Sequence, residues 1–196
     1  MTLRKIIGLL GISLAPILIL GSFILDHTTN IQASVSAYYH SGMRDELVGI
    51  ICGISLFLLS YQGYTWQDSL ASKLAGIFAL GVAFFPTSAT NDKSDILSIL
   101  HFITSGIFFG ILAYMSIFLF TKTPGRLTRK KKIRNRIYKV CGIIMLICVA
   151  GIPIDRIHSI HDRLAFLKPT LILETLALVS FGSSWLIKGE FLLKDK

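Results

Sequence analysis

Charge is scarce in this chain, and acidic charge scarcest: 11 Asp and Glu stand among 196 residues, and all charged residues together make 16%. A soluble domain carries about 25% charged residues, so the shortfall excludes an ordinary soluble domain. Cysteine is rarer still. Cys52, Cys141 and Cys148 all lie inside apolar runs, which excludes a disulfide framework and a thiolate zinc site. They read as small apolar side chains. No polar stretch is long enough for a separate soluble unit, so residues 1–196 read as one domain. Phosphate loops, nucleophile elbows and dinucleotide fingerprints are missing too, and Gly182-Ser183-Ser184 is too apolar in context for a nucleophile turn.

What the chain does have is hydrocarbon. It is 53% apolar, and apolar runs of roughly 18 or more residues recur along it. The expected fold class is all-α, a polytopic transmembrane helix bundle. Six spans are expected at about 5–25, 44–64, 72–87, 96–120, 137–154 and 166–187. At about 1.5 Å per residue, some twenty residues cross a ~30 Å core. The first run follows Arg4-Lys5 as a signal peptide would, and Val35-Ser36-Ala37 loosely mimics a cleavage site. Its apolar stretch exceeds the ~7–15 residues of a signal core, so it is expected to stay as a helix, kinked at Pro16.

The net charge of +9 sits mainly in the loop Arg126 to Lys139. No recognition motif accompanies it, so nucleic acid is not the expected partner. With six spans and both termini inside, fifteen Lys and Arg fall inside and five outside. The positive-inside rule therefore predicts N-in, C-in, with Tyr61, Tyr64, Trp66 and Trp185 as interfacial aromatics. The basic loop would also attract anionic lipid. Small residues recur at four-residue spacing as Gly49/Gly53, Ala75/Ala79, Gly106/Gly110 and Ser180/Ser184. That spacing puts both members on one helix face, for bundle packing.

Between the first two runs lies a polar island, Ser36 to Glu46, with Tyr38, Tyr39, His40, Arg44 and Asp45. Asp45 and Glu46 suit a helix N-terminus. Arg44 does not, and it needs a carboxylate, an anionic head group or another partner. Glu174 sits among Leu171, Ile172, Leu173, Leu176, Ala177 and Leu178. A carboxylate at a helix centre costs about 2.5–3.5 kcal/mol, so it should face the bundle interior and find a partner. His101, at similar depth, is the first candidate and Arg44 the second. His101, Thr104 and Ser105 make a polar stripe on the fourth span. Arg44, Asp45, His101, Glu174 and Tyr38 are thus the expected ligand-binding residues. In the fifth loop, His158 and His161 could share a zinc with Asp155 or Asp162. The spacing is common, and a solvated loop is the stronger expectation.

Ser36-Ala37-Tyr38-Tyr39, Met43-Arg44-Asp45, Val48-Gly49, Tyr61-Gln62-Gly63-Tyr64, Gly81-Val82-Ala83 with Pro86-Thr87, His101, and Gly182-Ser183-Ser184-Trp185 with Lys188-Gly189-Glu190 resemble a family of small bacterial multispan membrane proteins. The chain is also distantly similar to the DRAM-like membrane proteins. These resemblances imply a bacterial cytoplasmic (inner) membrane bundle and name no reaction. A looser similarity is to the ceramidase-like superfamily of seven-helix hydrolases, which hold zinc with three histidines. This chain lacks their His-x-x-x-His pair and has six expected spans, leaving His101, His158 and His161 as the set that this similarity implies. The expected function is binding of a membrane-lipid head group or small solute at the outer polar cluster, without catalysis or cofactor. The alternatives are a zinc-dependent lipid hydrolase, with Glu174 or Asp45 as general base, and a small transporter acting as a homo-oligomer, with Pro16 and Pro86 as helix breaks.

Overall fold

The computed structural model describes residues 2–25, 30–88, 95–122, 125, 128–155 and 165–191. Six α-helices run through them: α1 Thr2–Leu25, α2 Arg44–Ser60, α3 Trp66–Phe84, α4 Ile96–Tyr114, α5 Arg129–Asp155 and α6 Pro169–Lys188. Two 3-10 turns, Ser36–His40 and Ala165–Leu167, join them. A π-helical turn, Met115–Leu119, prolongs α4, and no strand occurs among the described residues.

Local chemistry explains where the helices begin and end. The expected second span closes at Ser60, because Tyr61 is already extended (φ −71°, ψ 124°). The third begins at Trp66 rather than residue 72. Thr65 and Asp68 form a capping box there, with Thr65 N–H donating to Asp68 Oδ2 at 2.9 Å and Asp68 N–H to Thr65 Oγ1 at 3.4 Å. That helix stops at Phe84, and Phe85 before Pro86 is extended, as the proline ring demands of its predecessor. The Asp95 side chain accepts from Leu97 N–H at 3.1 Å and opens α4. The fifth helix starts at Arg129, well before residue 137, since Lys and Arg are good helix formers outside the membrane as well. α1 runs through Pro16 as one helix.

The helices close into a ring. Each packs on its neighbour in sequence, and α6 fits between α5 and α1. Arg4 Nη1 donates to the Lys188 carbonyl at 3.3 Å, so the start of the first helix and the end of the last lie at one end of the bundle, here the terminal end. At the opposite, loop end, Leu171 N–H donates to the Ala33 carbonyl at 3.0 Å. Close approach between α1 and α6 depends on glycine: a Cβ on Gly182 would lie 2.4 Å from the Gly8 carbonyl oxygen. Polar side chains stitch α2 to α3 inside the ring, with Ser55 Oγ donating to the Gly76 carbonyl and Ser72 Oγ to the Leu58 carbonyl, both at 2.7 Å.

Ala75, Ala79, Ser180 and Ser184 are buried at helix contacts as the spacing predicts. Gly106 and Gly110 are not: a Cβ on either meets no atom within 4 Å, nor does one on Gly49. Trp185 also departs from expectation. It is wholly buried, edge-on to Tyr61 (5.1 Å) and Phe120 (5.3 Å), and so belongs to the core rather than to an interfacial belt. Tyr64 and Trp66 are exposed as expected.

Four helices are long and apolar enough to cross a membrane: α1, α4 with its π-helical turn, α5 and α6. α2 has 17 residues, and α3 spends its first turns on Gln67, Asp68 and Lys73. Large apolar side chains stay exposed on all six, among them Leu20, Leu56, Ile77, Ile103, Ile147 and Ile172. A ring of helices with hydrocarbon outside has lipid as its solvent. The chain is a membrane protein.

Candidate functional site

A cavity of about 470 Å³ lies inside the loop half of the ring. Its walls are mostly apolar, drawn from all six helices, and include Leu14, Ile54, Val82, Phe108, Ile152 and Leu178. Among the described residues, the polar side chains that line it are those of Ser36, Tyr39, Thr87, His101, Ser105 and Glu174. α4 and its π-helical turn meet α5 closely toward the terminal end. There Ser116 Oγ donates to the Tyr138 carbonyl at 2.8 Å, and Gly142 faces the Ile117 side chain. Toward the loop end, Phe102, Ile103 and Gly106 of α4 and Val149, Ile152 and Pro153 of α5 line the cavity instead.

Glu174 is held by the polar island. Its Oε2 accepts from Val35 N–H (2.5 Å) and Ser36 N–H (3.2 Å), and its Oε1 accepts from Ser36 Oγ (2.7 Å). Those amides open the 3-10 turn Ser36–His40, so a carboxylate from the last helix caps a turn in the first loop. The partners expected from sequence, His101 and Arg44, are not the ones that hold it.

His101 is buried, and its Nδ1 lies 2.7 Å from the Phe85 carbonyl oxygen. A carbonyl only accepts, so Nδ1 carries the proton. A neutral ring then has Nε2 as its acceptor. Thr104, next on the polar stripe, turns its hydroxyl to the Leu100 and His101 carbonyls of its own helix. Ser105 does not: its Oγ is buried at the cavity wall with no hydrogen-bond partner.

Arg44 and Asp45 are exposed and line no part of the cavity. Arg44 Nη2 donates to Tyr39 Oη at 2.9 Å, and its guanidinium lies 4.6 Å from the Tyr39 ring centroid. It meets the site only through Tyr39. Tyr38 is wholly buried in the core beside the cavity, and Tyr39, its neighbour, lines it. His40 Nε2 lies 2.6 Å from the Thr87 carbonyl oxygen and ties the turn to the segment after α3. Sequence reasoning therefore missed Tyr39, Gly106 and the Val35 amide. The exchange of Tyr38 for Tyr39 follows from the turn's phase, which the sequence does not display.

His158 and His161, like Asp162, lie outside the described residues. Among the described residues no group of three His, Cys, Asp or Glu could hold a metal ion. Of the three histidines considered for zinc, His101 alone is described, and its Nδ1 is engaged by backbone. The chain matches no protein-family model, no curated protein and no solved structure.

Proposed function

We propose that the cavity binds a membrane amphiphile, with its apolar body between the helices and its polar group toward the loop end. The observation that carries this reading is the distribution of polar side chains: apolar walls, with the polar groups coming from the island, the segment after α3, and the loop-side halves of α4 and α6. The volume falls within the ~300–1,000 Å³ of small-molecule sites. His101 and Ser105, one helical turn apart, would orient the polar group. An unpaired buried hydroxyl costs about 1–3 kcal/mol, which a ligand oxygen or nitrogen at Ser105 would offset. The α4–α5 seam, lined by cavity residues in the loop half, gives hydrocarbon a lateral path. In this reading all six helices cross a bacterial cytoplasmic membrane, the terminal end faces the cytoplasm, and the ring binds rather than catalyses.

The test is to purify the protein in detergent and identify retained lipid by native mass spectrometry. Gly106 lines the cavity with open space before it, whereas Gly110, as open, does not line it. We expect wild type and Gly110→Leu to carry the same amphiphile and Gly106→Leu to carry none. Equal retention in all three would remove the cavity as the site.

A further inference from the structure

Among the described residues that line the cavity, Glu174 is the one carboxylate, and no Lys or Arg joins it. Its partners are two backbone amides and a hydroxyl, all uncharged. Hydrogen bonds of that kind hold a carboxylate without supplying an opposite charge. An ionised carboxylate has about four acceptor positions. Three are filled here, two on Oε2 and one on Oε1, so Oε1 keeps a lone pair for a further donor. The described cations at the loop end, Arg44 and Lys168, stay outside the lining. Arg44 is exposed against Tyr39, and Lys168 Nζ donates to the Ile31 carbonyl.

The rest of the lining suits a cation with an apolar body. Tyr39, Phe85, Phe102, Phe108 and Phe109 bring aromatic rings to the wall, and ring faces attract ammonium groups, most strongly away from water. Ser105 Oγ, buried at the same wall without a partner, can accept from an N–H. An anion would meet Glu174 across a medium of low dielectric, with no lining Lys or Arg to offset the repulsion. At the ~30 Å³ of a water-sized group, about 470 Å³ holds roughly fifteen such groups, room for one alkyl chain and its head.

We infer that the cavity selects a positively charged amphiphile, an alkylammonium with one hydrocarbon chain, whose head group pairs with Glu174. The inference rests on the cavity being a binding site, as proposed above, and adds the sign of the charge that it accepts.

The experiment uses the full chain in neutral detergent and follows its thermal unfolding as decylammonium, decanol or decanoate is added. The three share one alkyl chain and differ in the charge of the head. Wild type should respond to decylammonium at about tenfold lower concentration than to decanol, the equivalent of one hydrogen bond to a charged group, and least to decanoate. Glu174→Gln keeps an acceptor for the island and removes the charge, and should bring decylammonium to the level of decanol. If that variant does not fold, Phe109→Leu takes its place and should narrow the same gap. Gly106→Leu fills the cavity and should abolish the responses to decylammonium and decanol together. A wild type that responds alike to decylammonium and decanol, or best to decanoate, would overturn the selectivity for a cation. If Gly106→Leu still abolished those responses, the cavity would stand as the site for an amphiphile of another charge. A decylammonium preference that persists in Glu174→Gln would overturn the pairing with Glu174. Responses that survive Gly106→Leu would remove the cavity as the site, and the inference with it.

Discussion

Both oxygens of Glu174 accept hydrogen bonds, and every donor comes from residues 35 and 36. Replacing it with alanine leaves two amides and a hydroxyl, all part-buried, without acceptors. Each such loss costs about 1–3 kcal/mol. Glu174→Ala should therefore lower stability by about 3 kcal/mol, and Glu174→Gln by less, since an amide oxygen can still accept. Thermal unfolding in detergent reads the difference. If Glu174→Ala were as stable as wild type, the cap would carry no weight. The sequence shows that Glu174 must have partners and face inward, because a carboxylate in hydrocarbon is expensive. It cannot show that backbone amides outcompete His101, since that depends on where a distant loop returns. His101, which the sequence places at a depth similar to Glu174, does line the cavity. Tyr38 was not separable from Tyr39, because one residue of phase in a short turn decides which side chain enters the cavity.

At the scale of elements, the helices were legible wherever hydrocarbon alone sets their limits. The first, fourth and sixth lie close to the expected ranges. The third was misplaced at its start although Thr65 and Asp68 carry a readable cap, since hydropathy registers only the apolar part. Trp185 was misread because a tryptophan near a span end suits an interface and a core equally well. Glycine pairs divide by what stands opposite. A Cβ on Gly182 meets α1 backbone, the Gly8 carbonyl oxygen at 2.4 Å and Ile12 N at 2.9 Å, which cannot rotate away. Gly182→Ala should separate α1 from α6 and cost at least about 1–3 kcal/mol, the usual range for overpacking. Gly110→Ala should cost nothing by packing and gain slightly in helix propensity. Size-exclusion profiles and unfolding midpoints of the two variants, compared side by side, test whether the spacing or the neighbour matters.

For the whole molecule, the open question of topology has a sharp form. If α2 and α3 dipped in and out of one leaflet, the termini would still share a side, so fusions at the chain ends would read the same either way. Tyr64, at the turn between these helices, does discriminate. It is exposed, and its hydroxyl lies 3.4 Å from Arg4 Nη1 at the terminal end. In a background without Cys52, Cys141 and Cys148, Arg44→Cys should react with an impermeant maleimide in intact cells, and Tyr64→Cys should not. Reaction at both would leave α2 and α3 as a re-entrant hairpin. The Glu174 cap has a consequence for how such a ring is made. Val35 and Glu174 are 139 positions apart, so while the helices emerge one after another, the turn at residues 36–40 waits for an acceptor not yet synthesised. The mouth of the cavity can only be sealed last, after every wall is in place, and a chain interrupted before α6 would be left standing open in the membrane.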